Sequence, residues 1–137
     1  MDKLSLEYLS QLKKTISHLE YSYKKVQGLS YEVETLSEEE LESWEGFSSR
    51  FSRTAEIFLS RFLRARIKFQ DPGFSGSFRD LLNKSIQMGL IEDVDFWLKI
   101  REFRNREAHE YNEKSLGFFF KELRLHAPKL IALKDKF

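Results

Sequence analysis

The sequence predicts an all-α protein, an up-and-down antiparallel bundle of four to five helices, and three observations carry that expectation. Apolar residues recur at three- and four-residue steps over long stretches; no segment alternates apolar and polar residues as a half-buried strand would; and glycine and proline number only six and two in 137 residues. A chain of this length suits a single domain over residues 1–137 and can bury a core without metals or disulfides.

The first helix is expected from Lys3 to Gln27, because Leu4, Tyr8, Leu12, Ile16, Leu19, Tyr23 and Val26 fall on one stripe and Gly28 offers a stop. A linker from Leu29 to Leu36 leads to Ser37, which can cap the next helix while Glu40 reaches back to complete a capping box. That second helix turns Trp44, Phe47, Phe51, Ala55, Phe58, Phe62 and Phe69 to one side, until DPGFSG breaks the pattern. Ser77 and Asp80 repeat the capping pattern for a third, shorter helix with Phe78, Leu81, Leu82 and Ile86 inward, ending near Gly89. A fourth starts near Glu92 with Phe96, Ile100 and Phe103 on one side and continues through FRNREAHEY. The fifth follows Asn112 with Leu116, Phe119, Phe120 and Leu123 packing, until Pro128 kinks or ends it.

Composition narrows the function classes. Without cysteine there is no disulfide framework, thiolate metal site or cysteine nucleophile, and no cluster with metal-ligand spacing occurs, so no metal and no cofactor are expected. The start, MDKLSLEYLS, has acidic and polar residues where a signal peptide needs an apolar run, and no run of 18 uncharged apolar residues occurs, so a cytoplasmic protein without a membrane span is expected. Lys and Arg total 23 against 22 Asp and Glu, so any affinity for nucleic acid must come from local clustering.

Two clusters qualify. On the second helix Arg50, Arg53, Arg61, Arg64 and Lys68 fall within roughly a quarter of an ideal helical circumference, away from the phenylalanines. They form either a track for a phosphate backbone or a solvated face paired with acids on a neighbouring helix. In the FRNREAHEY stretch, at about 100° per residue, Arg101, Arg104, Asn105 and His109 occupy a third to a half of the helix surface, with Tyr111 seven residues below Arg104. Histidine can take or give a proton near neutral pH, and arginine can hold phosphate oxygens through its planar fork. The same residues also suit a solvated helix end, where His109 complements the helix dipole and Tyr111 packs on the preceding turn. The remaining histidines, His18 and His126, have no motif around them and read as surface or boundary residues.

The run Arg104, Asn105, three residues, His109, one residue, Tyr111 resembles the Arg-Asn-x-x-x-His-x-Tyr signature of the HEPN superfamily, specifically its HepT-like members, also known as nucleotidyltransferase substrate-binding proteins. FWLKIREFRNREAHEY with Trp97 is similar to that family's final motif helix, and RFSRTAEIF, residues 50–58, is similar to its second helix, with Ser52 where related sequences often carry an acidic residue. No catalytic role is therefore assigned to the second helix, Glu56 included. The resemblance implies a toxin-like, metal-independent endoribonuclease acting as a homodimer, with Arg104 and His109 catalytic, Asn105 supporting, and a site completed across the two-fold axis. It also implies a cognate minimal nucleotidyltransferase as antitoxin, which attaches AMP to Tyr111 and switches cleavage of RNA off. The alternative it leaves open is a non-catalytic accessory subunit that presents substrate to a nucleotidyltransferase.

Overall fold

The computed structural model of the protein describes residues 1–106 and 111–137. Helix α1, Lys3–Val26, opens on Asp2, whose carboxylate accepts the Ser5 backbone N–H at 3.1 Å. Its buried face is Leu9, Leu12, Ile16, Leu19 and Val26, with Ser5, Thr15 and Ser22 on the same side. That stripe begins at Ser5, so Leu4, expected in the core, is 49 % exposed. Helix α2, Glu38–Glu56, starts with the expected capping box: Ser37 Oγ accepts the Glu40 N–H and the Glu40 carboxylate accepts the Ser37 N–H.

The second rod does not stay α-helical. A π-helical segment, Ile57–Phe62, follows α2, and α3, Leu63–Gln70, continues beyond it. Wider turns let residues four apart stay in line. The inward stripe therefore passes from Ala55 through Leu59 and Leu63 to Ile67, alongside Phe58 and Phe62. Phe69 lies about 200° past Ile67 at 100° per residue. It is accordingly 65 % exposed, against the expectation that it joins the core.

Helix α4, Phe78–Gln87, repeats the capping box with Ser77 and Asp80. It closes on Gly89 at φ 73°, with the Leu90 N–H returning to the Ser85 carbonyl and the Gly89 N–H to that of Ile86. This is the glycine-terminated Schellman geometry, which a side chain with a Cβ adopts at a cost. Ser85 occupies the inward position and bonds the Leu81 carbonyl, which leaves Ile86, expected inside, 37 % exposed at the rim.

Helix α5, Val94–Asn105, is capped by Asp93 and ends earlier than expected: Arg106 is already extended, with φ −96° and ψ 138°. The helix expected to run on to Tyr111 therefore breaks off at Arg106. Asn112, immediately after Tyr111, serves instead as the N-cap of α6, Glu113–Ile131, its side chain accepting the Ser115 N–H. Nor does Pro128 end α6, which runs on to Ile131 because Ala127, Leu130 and Ile131 are buried on either side of it.

The rods pack antiparallel. Ser22 near the end of α1 meets Arg50 of α2, Phe96 at the start of α5 lies 5.9 Å from the His126 ring, and Phe103 at its end lies 6.3 Å from Phe119. Phe51 bridges α2 to α5 through Phe103 at 6.3 Å, and Trp44 stacks on Phe120 of α6 at 5.1 Å. Each such ring taken fully from water contributes roughly 1.5–3 kcal/mol. This aromatic seam fixes the end of α5 against α2. Among the described residues there is no strand, and no helix is long and apolar enough to cross a membrane.

Candidate functional site

Phe103 is buried against Phe51 and Phe119, so the next residue, Arg104, emerges at the edge of the seam beside the last turn of α2. There its guanidinium forms an ion pair with Glu56. Its Nη1 also donates to Asn105 Oδ1 at 2.6 Å, and the Ser60 hydroxyl, one turn on in the π segment, donates to Glu56 Oε2 at 3.4 Å. Arg104, Asn105, Glu56 and Ser60 thus form one chain of polar contacts across two helices. Both members of the ion pair are about one-third exposed, 35 % and 31 % by side chain. An ion pair in contact with water contributes only about 0.2–1 kcal/mol. A phosphate presented to Arg104 can therefore displace the carboxylate at little cost.

Arg101, grouped with Arg104 by sequence, is drawn away toward α4, its guanidinium 4.3 Å from the centre of the Phe78 ring. His109 lies outside the described residues. Tyr111 is half-buried, its ring stacked on Phe119 at 4.8 Å and 17°, and its hydroxyl receives a 3.4 Å hydrogen bond from Arg106 Nη1. Its position is set by α6 and not by a helical turn below Arg104. A cavity of about 360 Å³ opens beside it, lined by Lys99, Phe103, Lys114, Phe118 and Glu122 among others.

The basic stripe follows the seam between α1 and the second rod and divides there into two groups. Arg50 is spent on α1: its Nη1 donates to the His18 carbonyl at 3.2 Å and to Ser22 Oγ at 2.8 Å, and with Arg53 it lines a cleft near Thr15. Arg61, Arg64 and Lys68 line a separate groove farther along. His126 is a boundary residue, its ring between Phe96 and Phe103 and its Nδ1 2.8 Å from the Glu122 carbonyl oxygen.

Sequence reasoning missed Glu56 as the partner of Arg104, and Ser60 altogether. The only available signal was the likeness of RFSRTAEIF to a second motif helix, which marks the segment but not the contact. Among the described residues no group of three or more potential ligands is arranged to hold a metal ion.

Comparison with curated proteins and with solved structures yields no match. The family model described as "Nucleotidyltransferase substrate binding protein like" matches residues 7–136, nearly the whole chain. With α5, its Arg104–Asn105 pair and Tyr111 all inside that match, the chain belongs to the nucleotidyltransferase substrate-binding protein family, within the HEPN/HepT-like group.

Proposed function

We propose that the protein is a toxin-like, metal-independent endoribonuclease whose site is completed across a homodimer. The observation that carries this reading is the solvent-accessible Arg104, held by Glu56 and Asn105 at the end of α5 and followed in sequence by His109. In the reaction the RNA 2′-oxygen attacks the adjacent phosphorus, the bond from phosphorus to the 5′-oxygen breaks, and a 2′,3′-cyclic phosphate and a 5′-hydroxyl result. One His109 accepts the proton from the 2′-hydroxyl while its symmetry mate gives one to the leaving oxygen, and Arg104 bears the charge that builds on the phosphoryl oxygens. A two-fold axis supplies both sets from one sequence.

Tyr111 serves as the point of control. A cognate minimal nucleotidyltransferase transfers AMP from ATP to its hydroxyl oxygen, with pyrophosphate leaving, and the added phosphate competes with RNA for the cations around it. The family's description equally favours a second reading, an accessory subunit that presents substrate to a nucleotidyltransferase without cutting RNA. Purified protein incubated with RNA and EDTA separates the two. The nuclease reading expects cyclic-phosphate products, reduced at least about a hundredfold in Arg104→Ala and in His109→Ala. Equal products from parent and both folded variants, or none from any, leave the accessory role.

A further inference from the structure

The groove that holds Arg61, Arg64 and Lys68 has a composition that the solvated-face explanation does not require. It measures about 350 Å³ and lies between the start of α1 and the second rod, with Leu4 and Tyr8 on one side and Phe69 on the other. Leu4 and Phe69 are 49 % and 65 % exposed, a large apolar area for a surface already crowded with cations. None of the three cations forms an ion pair with any described residue. Asp2, the one acid lining the groove, is engaged in accepting the Ser5 N–H at the cap of α1. A solvated basic face would be expected to pair with neighbouring acids and keep its aromatic rings inside. This one does neither.

The groove is also joined to the candidate site. Ser60 lines its near end and donates to Glu56, the partner of Arg104. From Ser60 to Phe69 the rod advances about 13 Å at 1.5 Å per residue, with cations at three- and four-residue steps between. Positive charge at regular intervals suits a phosphate backbone, and exposed rings suit bases whose faces are free. Duplex RNA hides those faces and is gripped instead by shape across its grooves.

We propose that this groove binds a single-stranded segment of RNA flanking the scissile phosphate, with Arg61, Arg64 and Lys68 on the backbone and a base stacked on Phe69. The inference rests on the nuclease reading for its direction toward Arg104, but binding can be measured apart from cleavage. The probe is a fluorescein-labelled 2′-O-methyl oligouridine of 12 nucleotides, whose blocked 2′-oxygen cannot attack, followed by fluorescence anisotropy with the full chain. Phe69→Ala should weaken binding about 5- to 150-fold, and Phe69→Trp should restore it. Arg61→Glu with Lys68→Glu should lower the salt slope by about 1.4, two contacts at roughly 0.7 each for a single strand.

All three side chains are exposed or at the groove edge, so the variants should unfold with the parent by circular dichroism. Failure of the parent to bind the oligomer, parental affinity in both Phe69→Ala and the double variant, equal affinity for a duplex of the same length, or equal displacement by polyglutamate would each overturn the proposal. Groove-dependent binding without cleavage of unmodified RNA upholds the groove and removes the nuclease reading. Cleavage with groove-independent binding does the reverse.

Discussion

Gly117 and Gly46 both sit inside helices, and the same change at each should move stability in opposite directions. In a helix interior Gly→Ala ordinarily contributes about 0.8–1.0 kcal/mol, because alanine leaves less backbone entropy to lose. At Gly46 a Cβ meets nothing within 4 Å, so that gain should appear undiminished. At Gly117 a Cβ would fall well inside contact with the backbone carbonyl oxygen of Tyr31, and 3.5 Å from its carbon. The linker cannot easily retreat. The Ser30 carbonyl beside Tyr31 accepts Trp44 Nε1 at 2.9 Å, and the Leu29 carbonyl accepts Arg124 Nη1 at 2.9 Å. Overpacking costs about 1–3 kcal/mol, and a pinned backbone neighbour argues for the upper end. The net expectation is a loss of about 2 kcal/mol at Gly117 against a gain of about 1 at Gly46. For a domain of this size 1 kcal/mol corresponds to about 3–5 °C. Thermal unfolding followed by helical circular dichroism should therefore show Gly117→Ala melting about 6–10 °C below the parent and Gly46→Ala about 3–5 °C above. A Gly117→Ala protein as stable as Gly46→Ala would refute the close approach of α6 to the linker.

Arg124→Met removes hydrogen bonds to the Val26 and Leu29 carbonyls at the end of α1, and denaturant unfolding should show a loss of about 1.5–3 kcal/mol. Glu56→Gln, by contrast, should move the melting temperature by no more than about 5 °C, because its ion pair with Arg104 is exposed to water, while RNA cleavage falls; a collapse in stability would make the pair structural. Hydrogen bonds from Lys134 hold the Glu20 carboxyl below its ordinary range, with desolvation opposing them. Its contribution is present above the ordinary carboxylate pKa and lost as pH falls through the lowered one, so Lys134→Met should melt slightly below the parent at neutral pH and level with it in acid. Tyr111→Phe keeps the stack on Phe119 but lacks the acceptor oxygen, and intact-mass analysis after co-expression with a cognate nucleotidyltransferase should show no added AMP while RNA cleavage persists.

Features set by neighbours in sequence were legible. The Ser37 and Ser77 capping boxes, the Gly89 stop and the stripe from Trp44 to Phe62 each depend on residues a turn or two apart. Rims were not. Leu4 and Ile86 fit the helical period but sit one residue off the inward line, and only packing against a neighbouring helix reveals where that line falls. The early end of α5 was hidden because FRNREAHEY contains neither glycine nor proline, and the cap that claims the following chain belongs to α6. In the candidate site Arg104 and Asn105 were legible as a pair. Glu56 lies 48 positions earlier, and its contact with Arg104 is set by how α2 meets α5.

The π segment gives the second rod one residue of slack between two working surfaces. Removing a single residue there would let the wide turn relax to ordinary α spacing with everything downstream close to its present phase, whereas a residue removed from a stretch already at α spacing turns everything beyond it by about 100° and draws it back by about 1.5 Å. After a deletion within the π segment Glu56 would stay beside Arg104, Leu63 and Ile67 would stay in the core, and Arg64 and Lys68 would keep to the α1 seam. A single deletion in this stretch is thus absorbed where it occurs, as an expansion joint absorbs a change in length, and only a further one throws the downstream surface out of phase.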